Sequence, residues 1–413
     1  MVAALGFALG GAAQVQPARE PSETPHRHGN TLALAGQRLF EPPPKITFAP
    51  MRPLGETLDA DRWEETFPSA IATSYPSNNT LRLRITIPKD AIGAVPVVVL
   101  LHYWGATDTR IEDDIAMHLS RAGIATVEMP LPYHLGRTPP GHVSGDLAIV
   151  ADVDSIQGTM RQSMSDVMRT LDFIDSRSEF NKKQVGIAGT SLGAIVSAAC
   201  FGAEPRIHSG AFMFGGGDLA GILWSSVKTQ AIKARLIHQG YSLSRVREEL
   251  RPVDPLTFNS PLDKRHSFVI SARFDTVVPP PSTEALVARL GNAQRLVVDT
   301  GHYGGFLVEA KLGEALARFF ASDFNGLPSY IPVSVDAPTV RLGMLADFDR
   351  GFQVAAGLDI WRANRARDGF ASILLSPKGV SLFMGLDVGS GLALGASLAP
   401  RKASLGAFWS VVF

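Results

Sequence analysis

Gly189-Thr190-Ser191-Leu192-Gly193 is the segment of this sequence best placed to do chemistry. It follows a short apolar run, Gln184 to Ala188, and opens a helix-forming run, Leu192 to Phe201. A serine on a tight strand-to-helix turn is thrust outward. Glycines flank it because side chains there would strike neighbouring backbone. The helix starting at Leu192 aims its free amides at the serine, which favours negative charge developing there. Serine attacks poorly unless a base takes its proton. His302 is the candidate base: it follows the strand-like run Leu296 to Val298 on a glycine-bounded loop. A carboxylate must then orient the imidazole and stabilise its positive charge. Asp275, just past the run Phe268 to Ala272, is preferred. Asp299 lies only three residues before His302, where a strand is ending, and Asp254 lies on an inserted segment; both compete less well.

These residues need a frame, and the sequence supplies one by alternation. Leu81 to Pro88 alternates with period two, as a half-buried edge strand should. Val95 to Leu101 is a continuous β-branched run, expected of a parallel strand covered on both faces. Further strands are expected at 124–129, 184–188, 210–214, 267–272 and 295–298. Helices are expected at 111–122, 156–177, 192–201, 282–291 and 305–321. Met160, Met164, Val167, Leu171 and Ile174 form one helical stripe and read as core. This order predicts an α/β, doubly wound, mostly parallel sheet over residues 45–325. Residues 218–265 interrupt it with helical stretches near 219–239 and 242–250. They read equally as a cap over the strand ends or as a surface excursion.

The pieces together resemble the α/β-hydrolase superfamily over residues 80–322, in particular its esterase, lipase and dienelactone-hydrolase-like members. Gly189 to Gly193, Arg273-Phe274-Asp275 with its following Val-Pro, and Gly301-His302 carry the likeness. Ser191, Asp275 and His302 occur in that family's chain order. The resemblance implies two-step acyl transfer through an acyl-serine, without cofactor or metal. It also implies an oxyanion hole in His102-Tyr103-Trp104-Gly105, with the N–H of Trp104 and of Leu192 as donors. Tyr stands where the family often has Gly, so the N–H of Tyr103 is the alternative donor. His102 is expected to prop this loop. Tyr103, Tyr133 and His134 are expected to bind substrate beside Trp104; the competing reading is that these aromatics pack the loops together. The function expected is carboxylic-ester hydrolysis on a small-molecule ester. The same triad also serves amide, thioester or acyl-transfer chemistry. A surface or outer-membrane binding protein with a vestigial hydrolase domain is the alternative of a different class.

The remaining signals are fewer. Lys+Arg and Asp+Glu both number 39, which gives no reason to expect nucleic acid as a partner. The single cysteine, Cys200, excludes an intramolecular disulfide and reads as buried helix. His118, His208, His238 and His266 share no ligand spacing and read as structural, and no metal site is expected. Residues 2–13 are uncharged and apolar, like the core of an export signal with Ala12-Ala13 near its cleavage point, though without the basic start. Residues 14–44 read as a Pro-rich linker in which His26 and His28 are solvated. Residues 330–413 differ in kind: six strand-like runs separated by Asp-Arg-Gly, Ser-Pro-Lys-Gly, Gly-Ser-Gly and Pro-Arg-Lys turns predict a C-terminal antiparallel β-meander. Leu405, Ala407, Trp409, Val411 and Phe413 alternate up to the chain end like the closing strand of outer-membrane barrels. Six strands fall short of the usual minimum of about eight. A small soluble β-domain is therefore preferred over membrane association of this tail. The oligomeric state is left open.

Overall fold

The structure is a computed structural model that describes residues 43–413, except 336, 338, 350, 363–368, 390, 401 and 413. The apolar start, the linker through Pro42 with His26 and His28, and Phe413 lie outside the described residues. Among the described residues, ten strands form one mixed sheet. Strands β1 (Arg52–Glu56), β2 (Ala60–Pro68) and β3 (Thr80–Pro88) pair antiparallel in sequence order, and β3 pairs antiparallel with β5 (Ala125–Met129). From there the sheet is parallel: β5, β4 (Val95–Leu101), β6 (Phe180–Thr190), β7 (Ser209–Met213), β8 (Ser267–Ala272), β9 (Ala293–Val298) and the two-residue β10 (Ser334–Val335).

Helices cover both faces of the parallel part. They are α1 (Arg110–Arg121), α2 (Val153–Asp175), α3 (Leu192–Ala203), α4 (Leu219–Ser225), α5 (Gln230–His238), α6 (Leu243–Leu250), α7 (Pro255–Phe258), α8 (Pro280–Leu290) and α9 (Glu309–Phe324). The stripe from Met160 to Ile174 on α2 is buried in one core, with Val97, Val99 and Ile187. Val98, Leu100, Ile115, Leu119, Phe319 and Phe320 fill the other. Cys200 is buried in the first core, and burial pushes its thiol well up.

Three expectations need correction. Leu81 to Pro88 is not an edge, because β1 and β2 pair outside it. Those two strands carry many Arg, Glu and Asp, and β1 is exposed throughout, so no apolar alternation announced them. The helix expected over 219–239 is two, broken at a 3-10 turn over Val227–Thr229. The helix expected from 305 starts as a 3-10 turn at His302 and becomes α-helical at Glu309.

The C-terminal meander is present and closes on itself. Strands β11 (Val340–Asp347), β12 (Gly351–Arg362), β13 (Gly369–Ser376), β14 (Gly379–Gly389), β15 (Leu392–Ala399) and β16 (Lys402–Val412) pair in order, and β11 pairs back with β16. The described residues form one compact unit. Among the described residues no helix is long and apolar enough to cross a membrane.

Glu112 on α1 is an unusual core residue. It is 2% exposed, and neither carboxyl oxygen has a hydrogen-bond partner among the described residues. Burial pushes its pKa up from 4.5 to about 8. An unfolded chain loses this proton near the ordinary value, so between about 4.5 and about 8 the folded state binds more protons. Stability therefore falls as pH rises through that window. Glu112→Gln cannot ionise and removes its share of the slope. Its Tm is expected to decline less than the parent's between pH 5 and 8.5. Parallel declines would reject a neutral buried carboxyl.

Candidate active site

Strand β6 ends at Thr190 and helix α3 begins at Leu192, so Ser191 alone makes the turn. Its backbone sits at φ 54, ψ −111. A non-glycine residue held in so sparse a region stores on the order of 1–3 kcal/mol of strain. The surroundings hold it there. Ser191 N donates to Met213 O at 2.8 Å. A Cβ on Gly189 would lie 2.3 Å from the carbonyl carbon of Gly193. A Cβ on Gly193 would lie 2.2 Å from Leu101 O and 2.6 Å from His102 O. Both glycines are thus steric requirements. The second contact seats the first turn of α3 against the end of β4, beside the loop His102–Gly105. Among the described residues, the N–H groups of Tyr103, Trp104 and Leu192 have no acceptor in the protein.

His302 follows β9, and Asp275 follows β8. Both side chains are buried. His302 Nε2 lies 3.0 Å from Ser191 Oγ, and His302 Nδ1 lies 2.7 Å from Asp275 Oδ2. Asp275 Oδ1 accepts from the N–H of Val277 at 2.8 Å and of Val278 at 2.7 Å. That leaves Oδ2 for the imidazole, whose Nδ1–H donates to it while Nε2 accepts from the serine hydroxyl. The other two carboxylates are committed elsewhere. Asp299 accepts from Arg273 Nε at 2.7 Å. Asp254 accepts from the N–H of Asp218 at 3.2 Å, Leu219 at 2.6 Å and Leu256 at 2.9 Å.

The loop carrying His302 is braced on two sides. The Phe214 ring meets the imidazole edge-on at 6.0 Å. On the other side stands the barrel. A Cβ on Gly301 would lie 2.2 Å from Val412 O, at the end of β16. Thr339 Oγ1 donates to Asp299 O at 3.1 Å, and Asp299 N donates to Val335 O at 3.0 Å.

Two apolar pockets meet at Ser191. Tyr103, Ile111, Met213, Phe214, Phe306 and Leu312 line the first. Ile149, Met160, Ile195, Ile222, Leu223 and Val277 line the second. Trp104 and Lys228 line both. Trp104 is fixed by its indole N–H, which donates to Gly145 O at 2.7 Å, and by Lys228 Nζ, 4.3 Å above its ring. Helix α4 and the turn after it, in the inserted segment, thus form one wall of the site.

Of the side chains expected to bind substrate, Tyr103 and Trp104 are brought to Ser191, whereas Tyr133 and His134 are not. Tyr133 lines a separate cleft with Tyr75. His134 is fully buried; its Nδ1–H donates to Pro132 O at 2.7 Å, and its ring lies 4.9 Å from that of His102. His102 Nδ1–H donates to Tyr103 O, and its Nε2 accepts from Leu131 N at 2.9 Å. Burial pushes His102 down to about 3 and His134 down to about 4. The pair is a neutral peg under the 102–105 loop. The sequence reading missed Phe214, Lys228 and the aliphatic wall of α4. Only the place of the insertion above the strand ends hinted at the last two.

No family model and no curated protein matches the sequence. Among the solved structures that match are two acetyl xylan esterases, which share the fold. Acetyl xylan esterase from Paenibacillus sp. R4 is 20% identical, covering 67% of this chain and 88% of its own, with TM-score 0.52. Acetyl xylan esterase 1 from Thermoanaerobacterium sp. JW/SL YS485 is 19% identical, covering 66% and 87%, with TM-score 0.53. The chain has the α/β-hydrolase fold, with the six-stranded barrel added at its C-terminal end.

Because the barrel abuts the His302 loop, Gly301→Ala should disturb the Ser191–His302 pair without touching either residue. Displacing a reacting group by about 1 Å costs on the order of 100-fold in rate. The rate of Ser191 labelling by a fluorophosphonate is expected to fall at least tenfold, by the same reasoning. Labelling at the parent rate would show that the barrel contact does not position the loop.

Proposed function

We propose that this fold runs carboxylic-ester hydrolysis through an acyl-serine intermediate. The observation that carries the reading is the unbroken relay from Ser191 Oγ through His302 to Asp275, at 3.0 and 2.7 Å, on a strained strand-to-helix turn. In the first step His302 Nε2 takes the hydroxyl proton as Ser191 Oγ attacks the ester carbonyl. Asp275 holds the Nδ1 proton in place and stabilises the imidazolium. The N–H groups of Leu192 and Trp104 are assigned to the oxyanion, each such donor being worth roughly 3 kcal/mol in the transition state. His302 then gives the proton to the leaving alkoxide. In the second step water loses a proton to His302, attacks the acyl carbon, and Ser191 leaves with that proton. No cofactor enters the reaction.

The substrate is an ester with an apolar group on at least one side of the carbonyl, since the pockets meeting at Ser191 are mainly apolar. The names of the two fold relatives support an ester over an amide or thioester. The relay and the paired pockets also favour a working enzyme over a vestigial domain.

Ser191→Ala is expected to abolish turnover of p-nitrophenyl acetate and fluorophosphonate labelling, with Tm close to the parent's. Retained turnover would remove Ser191 from the mechanism. Filling the second pocket by Ile222→Trp is expected to lower the ratio of octanoate to acetate ester turnover. If that ratio is unchanged, the acyl chain lies elsewhere.

A further inference from the structure

The barrel is inside-out for a soluble domain. A soluble antiparallel sheet turns its polar residues to water. Here the outward positions run Leu342, Met344 on β11; Phe352, Val354, Leu358, Ile360 on β12; and Ile373, Leu375 on β13, all exposed. They continue as Val380, Met384, Leu386, Val388 on β14; Leu394, Leu398 on β15; and Leu405, Trp409 on β16. The intervening outward positions on β11, β12, β15 and β16 include Ala346, Ala356, Ala396 and Ala407. The charged side chains described in this unit lie inside or at its rims. Arg341 is 0% exposed and pairs inside with Asp359 at 2.9 Å and Asp387 at 3.5 Å. Asp349 and Lys402 pair across the rim far from the α/β sheet, at 3.4 Å.

We propose that this barrel is embedded in a lipid bilayer, with hydrocarbon covering its outer face. The occupant follows from the geometry. The apolar face encircles all six strands, and a second copy would cover only one side of it. Closure leaves no unpaired strand edge, as backbone in hydrocarbon requires. Aromatic residues mark both rims, as at the two interfaces of membrane barrels. Trp361 and Trp409, the latter paired with Leu392, stand at the rim nearer Gly301. Phe348 and Phe352 stand at the far rim, while aliphatic side chains fill the belt between. Strands β12, β14 and β16 run 12, 11 and 11 residues, which reaches the roughly 9–11 that a tilted membrane strand needs, and alternate with β11, β13 and β15 of 8 residues each.

Six strands make a narrow ring, and the interior is built for it. A Cβ on Gly343 would lie 1.9 Å from Trp409 O, and one on Gly395 would lie 2.0 Å from Met384 O. The strands approach where side chains are missing.

The test uses the full chain, diluted from detergent into phosphatidylcholine–phosphatidylglycerol vesicles. It is expected to float with them through a sucrose gradient and to stay bound in alkaline carbonate. Lipids brominated on the acyl chains are expected to quench tryptophan emission by up to two-fifths, the share of Trp361 and Trp409 among the five tryptophans. The double variant Trp361→Phe/Trp409→Phe is expected to float and to lose that quenching. A chain that stays at the bottom of the gradient and sediments as a monomer without detergent overturns the proposal. A stable dimer in that buffer, unquenched by brominated lipid, also overturns it and assigns the face to a second copy. Flotation without quenching, or quenching that survives in the double variant, places some other segment in the lipid.

Discussion

The end of the sheet that carries Ser191 depends on one close approach of backbone to backbone. The first turn of α3 sits so near the end of β4 that a single methyl on Gly193 would overlap Leu101 O. That approach forces the chain through its turn in one residue and holds Ser191 at positive φ. It also brings the 102–105 loop beside the open N-terminal end of α3. Ser191 and the amides of the 102–105 loop and of α3, the proposed nucleophile and oxyanion donors, are therefore not two features that happen to be adjacent. One steric closure positions both, and the strain at Ser191 is held by the packing that produces it.

The relay is selected by which polar groups are already satisfied. Three carboxylates lie near enough in sequence to have served as the acid. Arg273 holds Asp299, and three amides occupy Asp254. Asp275 has one oxygen saturated by two amides and the other turned to the imidazole. The same logic disposes of the other histidines at this end. His102 has both ring nitrogens committed to backbone, and burial keeps His102 and His134 neutral. They support the loop, and His302 is the histidine in reach of Ser191 Oγ.

The relay and the sheet were legible because each rests on a local signal. Glycines at a strand-to-helix junction, a loop histidine after the last long strand, and an apolar β-branched run such as Val95–Leu101 carry their meaning within a few residues. What was missed depends on contacts distant in the chain. Strands β1 and β2 look polar because they cover a sheet margin rather than fill a core. Tyr133 and His134 follow a strand at the correct sheet end, yet Tyr133 faces a separate cleft and His134 turns inward onto His102. Lys228 acts on Trp104 across the site, which no spacing reveals. Closure of the barrel is the clearest case: each strand was visible alone, but the pairing of β11 with β16 joins the two ends of the domain.

That closure bears on the site as well as on the barrel. The last residues of β16 press on Gly301, and Thr339, just before β11, donates to the carbonyl of Asp299. One strand that seals the barrel, and the residue that leads into the other, thus touch the loop carrying the proposed base. If the seam opened, β11 and β16 would separate, and the loop would lose both contacts together. Under the proposal of a lipid-embedded barrel, the bilayer that favours a closed ring would by the same contacts favour a correctly placed His302. The apolar belt and the hydrolytic relay would then be two ends of one mechanical arrangement, joined at a glycine too crowded to carry a side chain.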